Sequence, residues 1–277
     1  MCGKLAMNTH GDRAEKVSVK TIGSIFSQEY QKKMRKSHHI HYKPEAISRY
    51  YKVFMKSVKL GERHILLRIS DEVDLSPALL ARNILEWHLS NTRYGGELPP
   101  KSLVTQMMRE PLMIEDTVLS REVHECAVFD EHYGPIVDNI KRSIGHEYEF
   151  NLEYQLDLLG LSYIGENEMR KQGYDKTPDV KFEIPIAVDG YVINWIESKA
   201  SFGDEHSHKT YLKDQFWSYW NRFGPGMVIY WFGFIDELDN NTEKGIILRD
   251  SFPQNIVTLD PKAKTEVSKL FEPSKVT

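Results

Sequence analysis

The 277-residue sequence predicts a mixed α/β (α+β) protein: an all-helical part over residues 1–142, then a sheet-containing part over residues 143–277. Three observations predict this. Apolar residues recur at helical spacing through the first half and give way to β-rich runs after Gly145. A short turn with capping residues joins two helical stretches at "DLSP", residues 74–77. A Val-Asp-Gly turn, residues 188–190, joins two β-rich runs.

Composition narrows the classes. Hydrophobic content of 40% and charged content of 27% are ordinary for a globular chain. No apolar run reaches about 18 residues, so no membrane partner is expected. The start, "MCGKLAMNTHGDRAEK", lacks the apolar centre of a secretory signal. With Cys2 and Cys126 alone, a disulfide framework is not expected, and a reducing compartment, nucleus or cytosol, is. Net charge is −4, but residues 1–64 carry 14 Lys/Arg against 5 Asp/Glu, and the remainder 22 against 35. That asymmetry reads either as a solvated basic face or as a surface for phosphate.

In chain order, "SVKTIGSIFSQEYQKKMRK" places Ile22, Ile25, Phe26 and Tyr30 near helical spacing, and "SHHIH", residues 37–41, reads as a polar loop. Pro44 suits a helix start. An apolar helix ends near Val73. Ser76 can cap the next, with Pro77 at its first position and Leu79, Leu80, Ile84, Leu85 and Trp87 on its buried face. Helix, short turn, capped helix is the helix-turn-helix pattern, which binds DNA in some proteins and only packs in others. Arg82 is its sole basic residue on the second helix, thin support for groove reading. His124, Cys126 and His132 fit no zinc spacing.

In the second half a helix, "HEYEFNLEYQLDLLG", is followed by the strand "LSYIG", the two β-rich runs, the helix "KTYLKDQFWSYWNRFG" and the strand "MVIYWFGFI". The loop "SFGDEHSHKT" reads as a polar cap for the helix after it, and Phe216, Trp217, Tyr219, Trp220, Trp231 and Phe232 read mostly as core.

The turn decides the chemistry. A two-residue Asp-Gly loop would pair Asp179 with Ala200 and send Glu197 and Lys199 to the other face. A three-residue loop would set Asp179 opposite Lys199 and position 181 opposite Glu197, so that Asp179, Glu197 and Lys199 share one face. The odd-length loop, or a bulge with the same effect, is the expectation. Two carboxylates and an ammonium on one face suit Mg²⁺ or Mn²⁺, and Lys199 can then hold an attacking water or phosphate oxygens.

"PD" at residues 178–179 and "ESK" at 197–199, on a hairpin, resemble the PD-(D/E)XK nuclease superfamily. That superfamily often opens its core with G-x-x-x-E on a helix, which Gly145 and Glu149 match, with Glu147 the second choice. Several branches carry Q-x-x-x-Y on the helix after the Lys strand, which Gln215 and Tyr219 match. The resemblance implies a restriction-endonuclease-like core. It also implies Asp179, Glu197 and Glu149 around Mg²⁺ or Mn²⁺, Lys199 as catalytic, and Gln215 supporting the site. "SIFSQEYQK", "GYDKTPD", "WIESKASFGDE" and "DQFWSYWNRFGPG" are similar to the vertebrate TPD family of Codanin-interacting nucleases, from about residue 21 to near 258. That likeness implies a nuclease acting on DNA or RNA, Codanin as partner, nucleus and cytoplasm as location, and a link to erythroid differentiation. A catalytically silent Codanin-binding scaffold is the alternative.

Overall fold

The structure, a computed structural model, describes residues 17–259 and divides into two compact units. Residues 26–143 form the first, all helical, and residues 144–259 with 17–25 form the second. Residues 17–25 thus group with the sheet-containing unit rather than the helical one. The Phe202 N–H donates to Ser24 Oγ at 2.9 Å and Lys20 Nζ to Tyr148 Oη at 3.0 Å.

The helical unit contains most of α1 (Val19–His41), then α2 (Pro44–Lys59), α3 (Ile65–Val73), α4 (Pro77–Thr92), α5 (Lys101–Arg109), α6 (Thr117–Phe129) and the start of α7 (Pro135–Leu158). Its core gathers Phe54, Ile65, Leu66, Leu80, Ile84, Leu85, Val104, Leu119 and Val123 around α4. The turn into α4 is built as its residues dictate. Ser76 accepts the Leu79 N–H, and Pro77 takes the position where a missing N–H costs nothing. The buried Asp130 carboxylate accepts from the Ser76 hydroxyl and the Ala78 N–H on one oxygen, and from the His132 and Tyr133 N–H groups on the other. Because helices α2, α3, α5 and α6 all pack on α4, its buried set widens to Ala78, Ala81 and Leu89, while Leu79 and Trp87 are only half-buried. Helix α1 contains the expected helical run from Ile22 to Tyr30, with Ile22 and Phe26 exposed, and one expectation fails in it. "SHHIH" is the helix's last turn rather than a loop, with buried His41 bonded through Nδ1 to Tyr50 Oη at 3.0 Å.

In the second unit a six-stranded sheet follows α7. Its strands are β1 (Tyr163–Gly165), β2 (Val180–Val188), β3 (Tyr191–Lys199), β4 (Gly226–Tyr230), β5 (Ile246–Arg249) and β6 (Ile256–Val257). The order is β1-β2-β3-β4-β5, with β6 also on β2. The β1–β2, β2–β3 and β2–β6 pairs are antiparallel, and β3–β4 and β4–β5 are parallel. Helix α8 (Glu166–Lys171) follows β1, and α9 (Glu205–Tyr211) and α10 (Trp217–Phe223) make the crossover that the parallel β3–β4 pair requires. Leu152 and Leu156 of α7 cover one sheet face with Val180, Ile186, Ile193 and Ile196. Trp195, Phe216, Tyr219, Val228 and Tyr230 fill the other.

Three elements depart from expectation. Helix α7 begins at Pro135, eleven residues before the expected His146. The predicted helix after the Lys strand is two α-helical pieces joined by a π-helical turn, Leu212–Phe216. Strand β4 stops at Tyr230, where Gly233 at φ +82° lets the chain turn back and donate to the Tyr230 carbonyl at 2.9 Å.

Candidate active site

Of the two expected routes, an odd loop or a bulge, the hairpin takes the bulge. Val188 pairs with Tyr191, so the loop is the two residues Asp189 and Gly190. Both have positive φ, 50° and 86°, as a type I′ turn requires. The three-residue loop is therefore incorrect. Parity is reset further along, by the bulge. Ile186 still faces Ile193, but Lys181 faces Trp195, so four residues of β2 lie against Asn194 alone. Pro185, unable to donate to the ladder, sits inside that bulge, while Asn194 bonds to the Pro225 carbonyl through its backbone N–H. Val180 pairs with Ile196, and one more step puts Asp179 across from Glu197 rather than from Lys199. Asp179, Glu197 and Lys199 therefore share the face turned toward α9 and α10.

The strand that brings Asp179 in is pinned from several sides. The Glu166 N–H donates to the Asp179 carbonyl at 3.1 Å, and Thr177 Oγ1 donates to Glu166 Oε1 at 3.3 Å. Arg222 holds the preceding loop through the Lys176 carbonyl at 3.0 Å and Asp175 at 2.9 Å. Asp179 Oδ2 accepts the Ser198 N–H at 2.7 Å. Lys199 Nζ donates to Glu197 Oε1 at 2.5 Å and to Gln215 Oε1 at 3.1 Å, and lies 4.7 Å from the centre of the Tyr211 ring. Gln215 reaches Lys199 from the π-helical turn, a distortion that recurs at functional sites. Tyr219, one helical turn on, is core, edge-on to Trp195 at 5.3 Å.

Burial raises Asp179 well above the usual carboxylate range, and the facing Glu197 charge adds to it against the opposing Ser198 N–H and Lys199. Burial likewise raises Glu197 despite its ammonium partner. Burial would lower Lys199, but Glu197 and Asp179 outweigh it and keep the ammonium raised and charged. Two carboxyls in one dry site resist carrying two negative charges together.

A divalent cation fits this pair. Glu197 is 4% exposed, and its Oε2 is buried with no hydrogen-bond partner. An acceptor-only oxygen left unpaired beside a second strained carboxylate is a donor set for a hard cation that keeps most of its waters. The expected third ligand, Glu149, lines a cleft of about 350 Å³ with Asp179. It is bonded to His146 Nδ1 at 3.0 Å. Glu147 is exposed. Among the described residues no three His, Cys, Asp or Glu side chains converge into a ready metal cage.

Sequence reasoning missed the rest of the cleft. Glu153 and Glu166 line it with Glu149, and burial followed by Asp157 and Glu149 raises Glu153. The signal available was the Glu149–Glu153 spacing of four, which stacks both on one face of α7. The residues set aside as capping or core behave so in part. Asp204 caps α9 by accepting the Ser207 N–H at 2.7 Å, and Phe216, Tyr219 and Phe232 are buried, whereas Trp220 is 37% exposed.

The family described as "Protein of unknown function TPD sequence-motif" matches residues 115–252. The chain is 54% identical over 243 residues to CDAN1-interacting nuclease 1 of Xenopus tropicalis, covering 87% of this chain and 80% of that one. Against the Homo sapiens protein of the same name it is 54% identical over 241 residues, covering 86% and 85%. The Gallus gallus relative is 48% identical over 243 residues, covering 87% and 85%. No solved structure matches.

Proposed function

Since the chain belongs to the CDAN1-interacting nuclease 1 family, we propose that it is a metal-dependent phosphodiesterase of the PD-(D/E)XK type, acting on DNA or RNA and working with CDAN1. The observation that carries this reading is the unpartnered, buried Glu197 Oε2 beside a charged Lys199 and across the hairpin from Asp179. Asp179 and Glu197 would hold Mg²⁺ or Mn²⁺. When bound, such an ion lowers the pKa of a water and offsets charge developing on phosphate. Among the described residues Lys199 is the ammonium buried in the site beside Glu197, so it positions the attacking water or a phosphate oxygen as a point charge. Gln215 and the Tyr211 ring fix where that ammonium points. Asp179 is oriented by the Ser198 N–H on Oδ2, and the residue lines the cleft.

A second reading, a silent nuclease fold that acts as a CDAN1-binding scaffold, is favoured by one observation. The cleft beside Asp179 is rimmed by Glu149, Glu153, Glu166 and Glu168, and among the described residues His146 and Lys171 on the rim and Arg170, paired with Glu166, stand against them. Such a rim repels a polyanion.

Cleavage of labelled single-stranded, duplex and branched DNA and RNA with Mn²⁺ separates the two. The expected result is cleavage by the native chain and a loss of at least about 100-fold in Lys199→Ala, the scale of removing one preorganised charge from a transition state. No cleavage by either at any metal concentration removes the enzyme reading, and equal cleavage by both removes Lys199 from it.

A further inference from the structure

The helix-turn-helix does not offer its second helix to a groove. Helix α4 buries Ala78, Leu80, Ala81, Asn83, Ile84, Leu85, Leu89 and Ser90, and its one cation is engaged within the unit. Arg82 Nε is 3.1 Å from Glu86 Oε1, and Arg82 Nη2 is 3.3 Å from Thr105 Oγ1. The cationic surplus of this unit lies elsewhere. Residues 26–64 hold 10 Lys/Arg against 3 Asp/Glu.

Much of that surplus falls on one line. Helix α2 buries Ala46, Ile47, Tyr50, Phe54 and Ser57. Arg49, Lys52, Lys56 and Lys59 recur at i, i+3, i+7 and i+10 on the opposite side, and all four are exposed. Arg63, exposed in the loop that follows, extends the line. Lys52, Lys56, Lys59 and Arg63 make no ion pair among the described residues, and Arg49 only overlies the Tyr50 ring at 5.2 Å. Of the three acidic residues nearby, Glu62 is taken by Arg68 at 3.0 Å and Glu29 by Lys32 at 2.7 Å. A purely solvating face gains from alternating signs and i, i+4 pairs. Here α2 has four cations and a single carboxylate, Glu45, and accepts their mutual repulsion.

We propose that the outward face of α2, with Arg63, is a docking surface for the phosphate backbone of duplex nucleic acid. The helix carries its four cations over about 15 Å at about 1.5 Å per residue. A duplex presents a phosphate for roughly every 1.7 Å of axis, so each cation finds one. Lysines act as point charges on phosphate and carry no base code, so the binding is independent of sequence and steep in salt. This deepens the nuclease reading, since it supplies the cationic surface that the acidic cleft lacks, and it rests on that reading for its purpose.

The test is fluorescence anisotropy of a labelled 20-bp DNA duplex in EDTA from 50 to 200 mM salt. It compares the native chain, Lys52→Gln/Lys56→Gln/Lys59→Gln, and Lys101→Gln/Arg109→Gln/Arg142→Gln, a control with the same charge loss. The expected result is at least tenfold weaker binding for the α2 variant at 50 mM. The log–log salt slope should shrink by about 3, roughly 0.9 per lost phosphate contact, with less than twofold change in the control. Circular dichroism of both variants checks that each is folded. Equal weakening by the control, native-like binding by the α2 variant, or no duplex binding by the native chain overturns the proposal. So does a variant that keeps duplex binding and instead loses an acidic polyglutamate probe. Cleavage with Mn²⁺, run in parallel, keeps the two readings apart. Cleavage with no α2 effect sinks the docking surface alone, and α2-dependent binding without cleavage sinks the nuclease alone.

Discussion

Asp179 carries a heavy electrostatic burden, because it is a carboxyl facing another carboxyl with little water to spread the charge. The sign of its effect on stability follows from linkage. An unfolded Asp titrates near about 3.9, and the folded one well above that, so the folded chain binds the extra proton in between. Its contribution is favourable below the unfolded value and is lost as pH rises through the folded one. Asp179→Asn keeps an oxygen for the Ser198 N–H and removes the charge. In EDTA, the variant should melt within about a degree of the native chain at pH 4 and several degrees above it at pH 7.5, since each kcal/mol moves Tm by about 2–4 °C in a chain of this size. An offset that is the same at both pH values would mean the carboxyl's charge is not what strains the fold. A site residue whose removal stabilises the protein is one retained for what it binds.

At the scale of elements, the sequence announces what is local and hides what depends on pairing. Ser76-Pro77 is legible because a cap is fixed by a few adjacent residues, whereas residues 188–190 announce a turn but not its length, which is two residues rather than three. The shared face of Asp179, Glu197 and Lys199 was expected from an odd loop or from a bulge, and the bulge is what the structure has. That bulge is the slip in register between Lys181 and Ile186, whose only local sign is Pro185 within an otherwise β-rich run. Strand β5, four residues long, is too short for periodicity to show, and Glu149 lies at the cleft without its rotamer or its His146 partner being visible from spacing. Close approach of elements is similarly hidden, and Gly226 is the sharpest case. A Cβ there would stand 2.0 Å from Trp195 Cε2, and that ring is fully buried with Nε1 donating to the Gly224 carbonyl at 2.8 Å. Gly226→Ala should therefore cost more than about 3 kcal/mol, beyond ordinary overpacking, and show as lost near-ultraviolet dichroism from the tryptophans and a sharply lower Tm. Gly23→Ala, in α1 with nothing within 4 Å of the new atom, should instead gain about 0.5–1 kcal/mol. A mild effect at Gly226 would show that β3 and β4 do not pack as closely as described.

For the whole molecule, the binding reading and the stability reading meet in one experiment. A ligand that binds only the folded chain stabilises it by mass action, about 2.7 kcal/mol at a hundred times its Kd, which here corresponds to roughly 5–10 °C. Saturating Mn²⁺ should raise the native Tm by that order. Glu197→Gln should abolish the response, because the orphaned Oε2 becomes an amide position that offers no full charge. Asp179→Asn should abolish it too, but from a higher metal-free Tm at pH 7.5, so the two variants share a flat response and differ in baseline. That difference separates a metal site from general shielding of an acidic surface. The cleft rim of Glu149, Glu153, Glu166 and Glu168 would also attract a divalent cation, weakly and with screening by salt. If both variants keep the native Mn²⁺ response, the ion sits on that rim and the hairpin pair does not hold it. If the response vanishes in both and survives 300 mM salt in the native chain, the ion is held by the buried pair.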